Sequence, residues 1–266
     1  MNIWTSTVLL AAGTAWAASS VTLTIENTFP AQGKAMGLEV AEGSPYSQFY
    51  LLGTNNTDDA VYWYSADGTV CDTTLMSNGN DKCFGVTIRP SDGAVFTNDW
   101  ESSDLFYTLD GGATWETVED PSEFEGRGIC FSGDHMWSTN GYSKLLRFIP
   151  GGGTAQEMTL PQVYAQPTGL TVFPMGEGMG IAVTTYSDHN IWFYLWNGGD
   201  PEFLGSAPCP AECQASCGLA HSEERGTIFW SYRTSSGEYW ISEMSYETGS
   251  ALKPLTWASL KRSYPR

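Results

Sequence analysis

The sequence predicts an all-β chain folded as a five-bladed β-propeller with four antiparallel strands per blade. Three observations carry this. A Gly followed by an apolar-x-apolar triplet recurs at Gly37, Gly85, Gly128, Gly169 and Gly218, a period of about 45 residues. Each repeat holds four short runs rich in β-branched and aromatic residues. Gly, Asp, Asn, Ser and Pro clusters separate these runs at the roughly 8–12-residue spacing of all-β folds. Four strands per unit in the forties is the signature of propeller blades. A six-bladed ring is the alternative, and it needs a further repeat that the sequence does not supply.

In chain order, residues 1–17 read as a secretory signal. The apolar run Val8–Gly13 is followed by Ala15-Trp16-Ala17, a small-x-small cleavage site. The alternative is a buried or membrane-associated N-terminal segment, although the run is too short to span a bilayer. Residues 18–33 contain the alternating run "SVTLTIENTF" (20–29), expected to complete the last blade and so close the ring. Residues 34–266 then hold the five repeats. In each, a first run such as "GLTV" precedes a polar turn, a second run such as "GIAVTT" and a polar loop. A third, aromatic run such as "IWFYLW" leads through a tight Gly-rich turn to a weaker fourth.

The tight turn of the second repeat stands out. In "DLFYTLDGGATWETV" (104–118), Thr108, Asp110, Gly112, Thr114 and Trp115 fall at fixed spacing. This pattern resembles the Asp-box of sialidase-like (BNR) propellers. The other repeats carry reduced forms at Ser65-x-Asp67-Gly68, Gly151–Gly153 and Asn197-Gly198-Gly199. The resemblance implies a structural turn: the Asp caps a hairpin, the Gly takes positive φ and the aromatic packs between strands. It also implies that the box lies away from the working face. Sialidase chemistry is not expected, because "LRFIPGG" (146–152) has the wrong residue order and place for that family's arginine signature.

Composition narrows the function. Thirty acidic against 12 basic residues give a formal charge of −18, which excludes nucleic acid and anionic membrane as natural partners. It suits a neutral or cationic ligand, and calcium is a candidate cofactor. Six cysteines suit an oxidising compartment, so the chain is expected to be extracellular or periplasmic. The preferred pairing is Cys71–Cys83 plus one bridge within Cys209, Cys213 and Cys217, leaving Cys130 without an assigned partner.

The loops between second and third strands gather the candidate ligand residues. Thr54-Asn55, Thr97-Asn98 and Thr139-Asn140 occupy matching positions, either as a repeated turn or as a ring of amides. Asn98, Asp99, Trp100, Glu101, Asn140, Tyr142, Tyr186, Asp188 and His189 form the candidate site. Rings beside amides and carboxylates suit sugars, whose apolar faces stack while hydroxyls hydrogen-bond. Asn55-Asn56-Thr57 is a glycosylation sequon. Among the middle residues of the first runs, Glu39, Thr87, Cys130, Thr171 and Ala220, only one is acidic, which does not make a catalytic pair. The expected function is therefore secreted, non-catalytic recognition of carbohydrate or a cell-surface component. The alternatives are a glycoside hydrolase or lyase using loop carboxylates, and a self-assembling structural subunit of an extracellular assembly.

Overall fold

The computed structural model describes residues 21–76, 80, 82–102, 104–121, 126–140, 143–163, 166–209 and 211–248. The leader assigned to residues 1–17 lies outside them. Blade I contains β2 (Ala35–Val40), β3 (Leu51–Asn55), β4 (Ala60–Tyr64) and β5 (Val70–Leu75). Blade II contains β6 (Cys83–Ile88), β7 (Val95–Asp99), β8 (Asp104–Thr108) and β9 (Glu116–Glu119). Blade III contains β10 (Ile129–Ser132), β11 (His135–Thr139), β12 (Lys144–Phe148) and β13 (Ala155–Thr159). Blade IV contains β14 (Pro167–Met175), β15 (Gly178–Thr185), β16 (Asn190–Trp196) and β17 (Glu202–Pro208). Blade V contains β18 (Ala215–Ser222), β19 (Thr227–Arg233) and β20 (Tyr239–Thr248), and its fourth strand is the N-terminal β1 (Val21–Pro30), antiparallel to β20. The fold is thus a five-bladed β-propeller, with no sixth blade among the described residues.

The first strands of the blades line the axis and contact one another in the order β2, β6, β10, β14, β18 and back to β2. Five apolar clusters fill the five interfaces between neighbouring blades. Trp230 and Phe193, for example, meet between blades IV and V, and Leu52 meets Val86 between I and II. Outer strands β5 and β9 are mostly exposed, as the sequence's weak fourth runs require.

The repeated glycines explain how the ring closes. A Cβ at Gly37, Gly85, Gly128, Gly169 or Gly218 would lie under 3.0 Å from backbone atoms of the next blade's inner strand. Only Gly lets adjacent inner strands approach this closely. In four blades the inner strand's register slips at this glycine, a bulge that kinks the strand. Each freed glycine N–H is taken up by a second-strand side chain: Thr54, Asn98, Thr139, Thr184 and Ser231 accept at 2.7, 2.7, 3.1, 2.8 and 2.8 Å. Four of these side chains also donate to the following blade: Thr54 to Phe84 O, Asn98 to Arg127 O, Thr184 to Cys217 O and Ser231 to Ala35 O. A belt of side-chain relays therefore stitches four of the five blades to the next.

This belt corrects two sequence readings. Thr97 is not the counterpart of Thr54, because Thr97 pairs with Val86 while Gly53 pairs with Leu38. Asn98 is the counterpart, and it is a buried structural group rather than a ligand residue. The sequon is the second correction. Asn55 is fully buried; its Oδ1 accepts Lys34 N and Thr57 N, and its Nδ2 donates to Asp58. No glycan can be joined to that nitrogen in the folded chain.

The Cys71–Cys83 bridge is a third correction, since both are free thiols. Cys71 is exposed near the start of outer strand β5, whereas Cys83 begins the inner strand of the next blade. The Cys83 thiol is buried and points at the carbonyls of Asn55 and Ala60, at 3.4 and 3.9 Å. The cross-blade path between them runs the length of β5, so the short sequence separation misleads. Cys130, Cys209, Cys213 and Cys217 are also free thiols.

The second repeat's turn adopts the geometry its residues imply. Asp110 accepts from Thr108 Oγ1, Thr114 N and Thr114 Oγ1 at 2.8, 2.9 and 2.7 Å, while Gly112 sits at φ +98° and Trp115 is buried. The Thr114 backbone bond, then the Thr114 and Thr108 hydroxyls, hold the Asp110 carboxyl down at about 2. Ser65, Asp67 and Thr69 repeat this chemistry in blade I. These turns lie on the lower face, with the connections between first and second strands.

Candidate ligand site

The upper face carries the loops between second and third strands and the blade-to-blade connections. At its centre is a cavity of about 400 Å³. Three cations line it: Lys34 just before β2, Arg127 just before Gly128, and Arg233 at the end of β19. Four rings line it as well: Phe84, Trp100, Tyr186 and Tyr239. Asn56 and Gln166 add amides, and Met36 completes the wall. Among the described residues no carboxylate lines the cavity, in a chain of net charge −18.

The belt explains why these groups converge. Met36, Phe84 and Arg127 each directly precede a ring glycine, which places them around the axis at the cavity floor. Cys217, the equivalent residue of blade V, packs beneath with Met36 and Phe84. The Arg127 guanidinium lies 5.4 Å from the Trp100 ring centre and 5.6 Å from that of Phe84. The Lys82 ammonium lies 5.8 Å over Trp100 and pairs with Glu101. Burial, above all, pushes the Tyr239 hydroxyl up to about 12. Among the described residues neither Lys34 nor Arg233 has an ion-pair partner, and Arg233 Nε is buried without a hydrogen bond.

The candidate residues divide. Trp100 and Tyr186 enter this one cavity. Asp99 is buried and caps its own turn by accepting Glu101 N at 2.7 Å. Glu101 is exposed beside Lys82. Asn140 bonds through its backbone N–H to Lys144 O and is not among the described residues that line the cavity. Asp188 is half-buried and accepts Asn190 N; desolvation raises its carboxyl. His189 occupies positive φ (56°), and its Nε2 lies 2.9 Å from Gln214 O. Tyr142 lies outside the described residues. Lys34, Arg127, Arg233, Tyr239 and Gln166 were not among the candidates. Their shared signal is position: one residue before a ring glycine, or at the upper end of a strand.

A second cavity, of about 410 Å³, opens at the lower end of the axis. Glu39, Glu42, Glu223 and Glu224 line it with Cys130 and His221. Burial raises the Glu39 carboxyl to about 7, against the Thr87 hydroxyl bond of 2.6 Å and the Val40 backbone bond that lower it. Among the described residues, no three His, Cys, Asp or Glu side chains are grouped to hold a metal ion. Nor is any helix there long and apolar enough to cross a membrane.

The sequence matches no family model and no curated protein. Solved structures share the fold. A glutaminyl cyclase of Myxococcus xanthus superposes with a TM-score of 0.62 at 13% identity, over 87% of this chain and 99% of that one. A PQQ-bound aldose sugar dehydrogenase of Streptomyces coelicolor gives 0.56 at 12%, over 86% and 99%. A chain of a nidogen/laminin complex gives 0.53 at 12%, over 74% and 72%. At these identities the likeness extends to the propeller scaffold alone.

Proposed function

We propose that this chain is a non-catalytic binding propeller that takes an acidic carbohydrate, a sugar bearing a carboxylate, in the upper cavity. The observation that carries the reading is the cavity's lining: three cations and four rings and, among the described residues, no carboxylate. Ring faces of Trp100 and Tyr186 suit the apolar face of a sugar. Lys34, Arg127 and Arg233 suit its carboxylate, through charge-assisted hydrogen bonds. Asn56 and Gln166 suit its hydroxyls. The proposal replaces the neutral or cationic ligand expected from net charge. It leaves calcium no place in this cavity, where cations already stand. It also places the chain outside the cell, once residues 1–17 are removed.

A catalytic role finds less support. Asp99, Glu101 and Asp188, the loop carboxylates a hydrolase would use, do not line the cavity. A lyase needs a base, and the Tyr239 hydroxyl at about 12 stays protonated at neutral pH. The aldose sugar dehydrogenase among the structural neighbours indicates only that this scaffold accommodates sugars.

Titration calorimetry tests the reading with galacturonate oligomers against galactose oligomers of equal length. The acidic oligomer is expected to bind, more weakly at high salt. Arg233→Gln and Trp100→Ala should each weaken binding about tenfold or more, equivalent to about 1.4 kcal/mol. Equal affinity for the neutral oligomer, or turnover of either, contradicts the proposal.

A further inference from the structure

The connection between β17 and β18 carries two thiols four residues apart, Cys209 and Cys213, with Cys217 four further on. Cys209 and Cys213 pack on the same apolar cluster between blades IV and V and are hydrogen-bonded to each other, with the Cys209 sulfur also 3.9 Å from Ser216 Oγ. Cys217 is fully buried in a different cluster, beneath the upper cavity with Met36 and Phe84. The triple cluster is therefore a facing pair and a separate core thiol.

We propose that Cys209 and Cys213 are a dithiol–disulfide site, closed by exchange with a low-molecular-weight disulfide, which fastens this connection against the rim of the upper cavity. The backbone already holds both thiols in place. Cys209 N donates to His189 O at 2.8 Å, and Gln214 N donates to Arg233 O at 2.7 Å. Gln214 O in turn lies 2.9 Å from His189 Nε2, so both ends of the loop share neighbours. Two residues on, Ser216 N donates to Tyr186 O at 3.3 Å. Arg233 and Tyr186 both line the cavity. Only this coupling to a ligand rests on the proposed function; the thiol chemistry does not.

The chemistry balances without metal or cofactor. Cys213 is half-buried and within reach of a reagent, and the hydrogen bond with Cys209 lowers its thiol. Its thiolate attacks a small disulfide, forming a mixed disulfide and expelling one thiolate. The Cys209 sulfur, losing its proton, then attacks the Cys213 sulfur, breaks the mixed bond and expels the second thiolate. The pair loses two electrons and two protons, and the small disulfide becomes two thiols.

Peptide mapping tests this on the reduced full-length protein, treated with oxidised glutathione and quenched with N-ethylmaleimide. The expected product is a Cys209–Cys213 bridge, with exposed Cys71 left as a mixed disulfide and Cys217 unreacted until unfolding. In Cys209→Ser and Cys213→Ser the remaining cysteine should stay as its mixed disulfide, because the resolving thiol is gone. Hydrogen exchange at the Gln214 and Ser216 amides should slow when the bridge closes. The proposal fails if both thiols remain alkylatable, if a mixed disulfide persists in the wild type, or if Cys217 is the partner. Unchanged exchange at Gln214 and Ser216 overturns the fastening role.

Discussion

Thr184 shows what one hydroxyl does in this ring. Its Oγ1 accepts Gly169 N and donates to Cys217 O, so it satisfies groups in two blades. Thr184→Val keeps the shape and strands both backbone groups. Urea unfolding should show a loss of about 1–3 kcal/mol, largely recovered in Thr184→Ser. Equal stability of the Val and wild-type proteins would remove the belt from the account. Glu39 makes a second residue-scale prediction. Its carboxyl is raised from 4.5 to about 7, so between these values the folded chain holds more protons than the unfolded one. Stability attributable to Glu39 should therefore fall as pH rises through this window, and Glu39→Gln should flatten that slope. An identical slope in wild type and variant contradicts the assignment. Neither role was legible in the sequence. The Thr184 acceptor is 33 residues away, and Glu39 drew notice only as a lone acid.

The tight turns between third and fourth strands join elements as well as reversing the chain. A Cβ on Gly112 would overlap the Thr74 side chain, and one on Gly68 would overlap Phe29. Each turn thus docks on the outer strand of the preceding blade, β5 or β1. Thr74 Oγ1 also donates to Gly111 O at 3.2 Å. Gly111 and Gly112 both have positive φ, but nothing lies within 4 Å of a Cβ on Gly111. Thermal unfolding should separate the two. Gly111→Ala pays backbone strain alone, about 1–2 kcal/mol. Gly112→Ala adds an overpacking cost of about 1–3 kcal/mol. Equal losses would show that the docking contact contributes nothing. The turn itself was readable because Thr108, Asp110 and Thr114 satisfy one another locally. Its docking partner was not, since Thr74 belongs to another repeat.

At the scale of the whole molecule, the glycine period and the blade count were legible for one physical reason. Every blade meets its neighbour at the same close approach, so the same residue is required five times. The ligand site is not repeated. The residues that precede the five glycines are Met36, Phe84, Arg127, Thr168 and Cys217, and the first three of them reach the cavity. Residues so different, about 45 positions apart, leave no local pattern. Net charge misled for a related reason: −18 is a sum over the chain, whereas Lys34, Arg127 and Arg233 concentrate positive charge at one point of the axis. The measurement that bears most directly on this account is a crystal structure with a galacturonate oligomer. The account predicts a uronate carboxylate within hydrogen-bonding distance of Lys34 and Arg233, its ring against Trp100 or Tyr186. An oligomer bound at the lower cavity of Glu39, or an upper cavity left empty at saturating ligand, would contradict it.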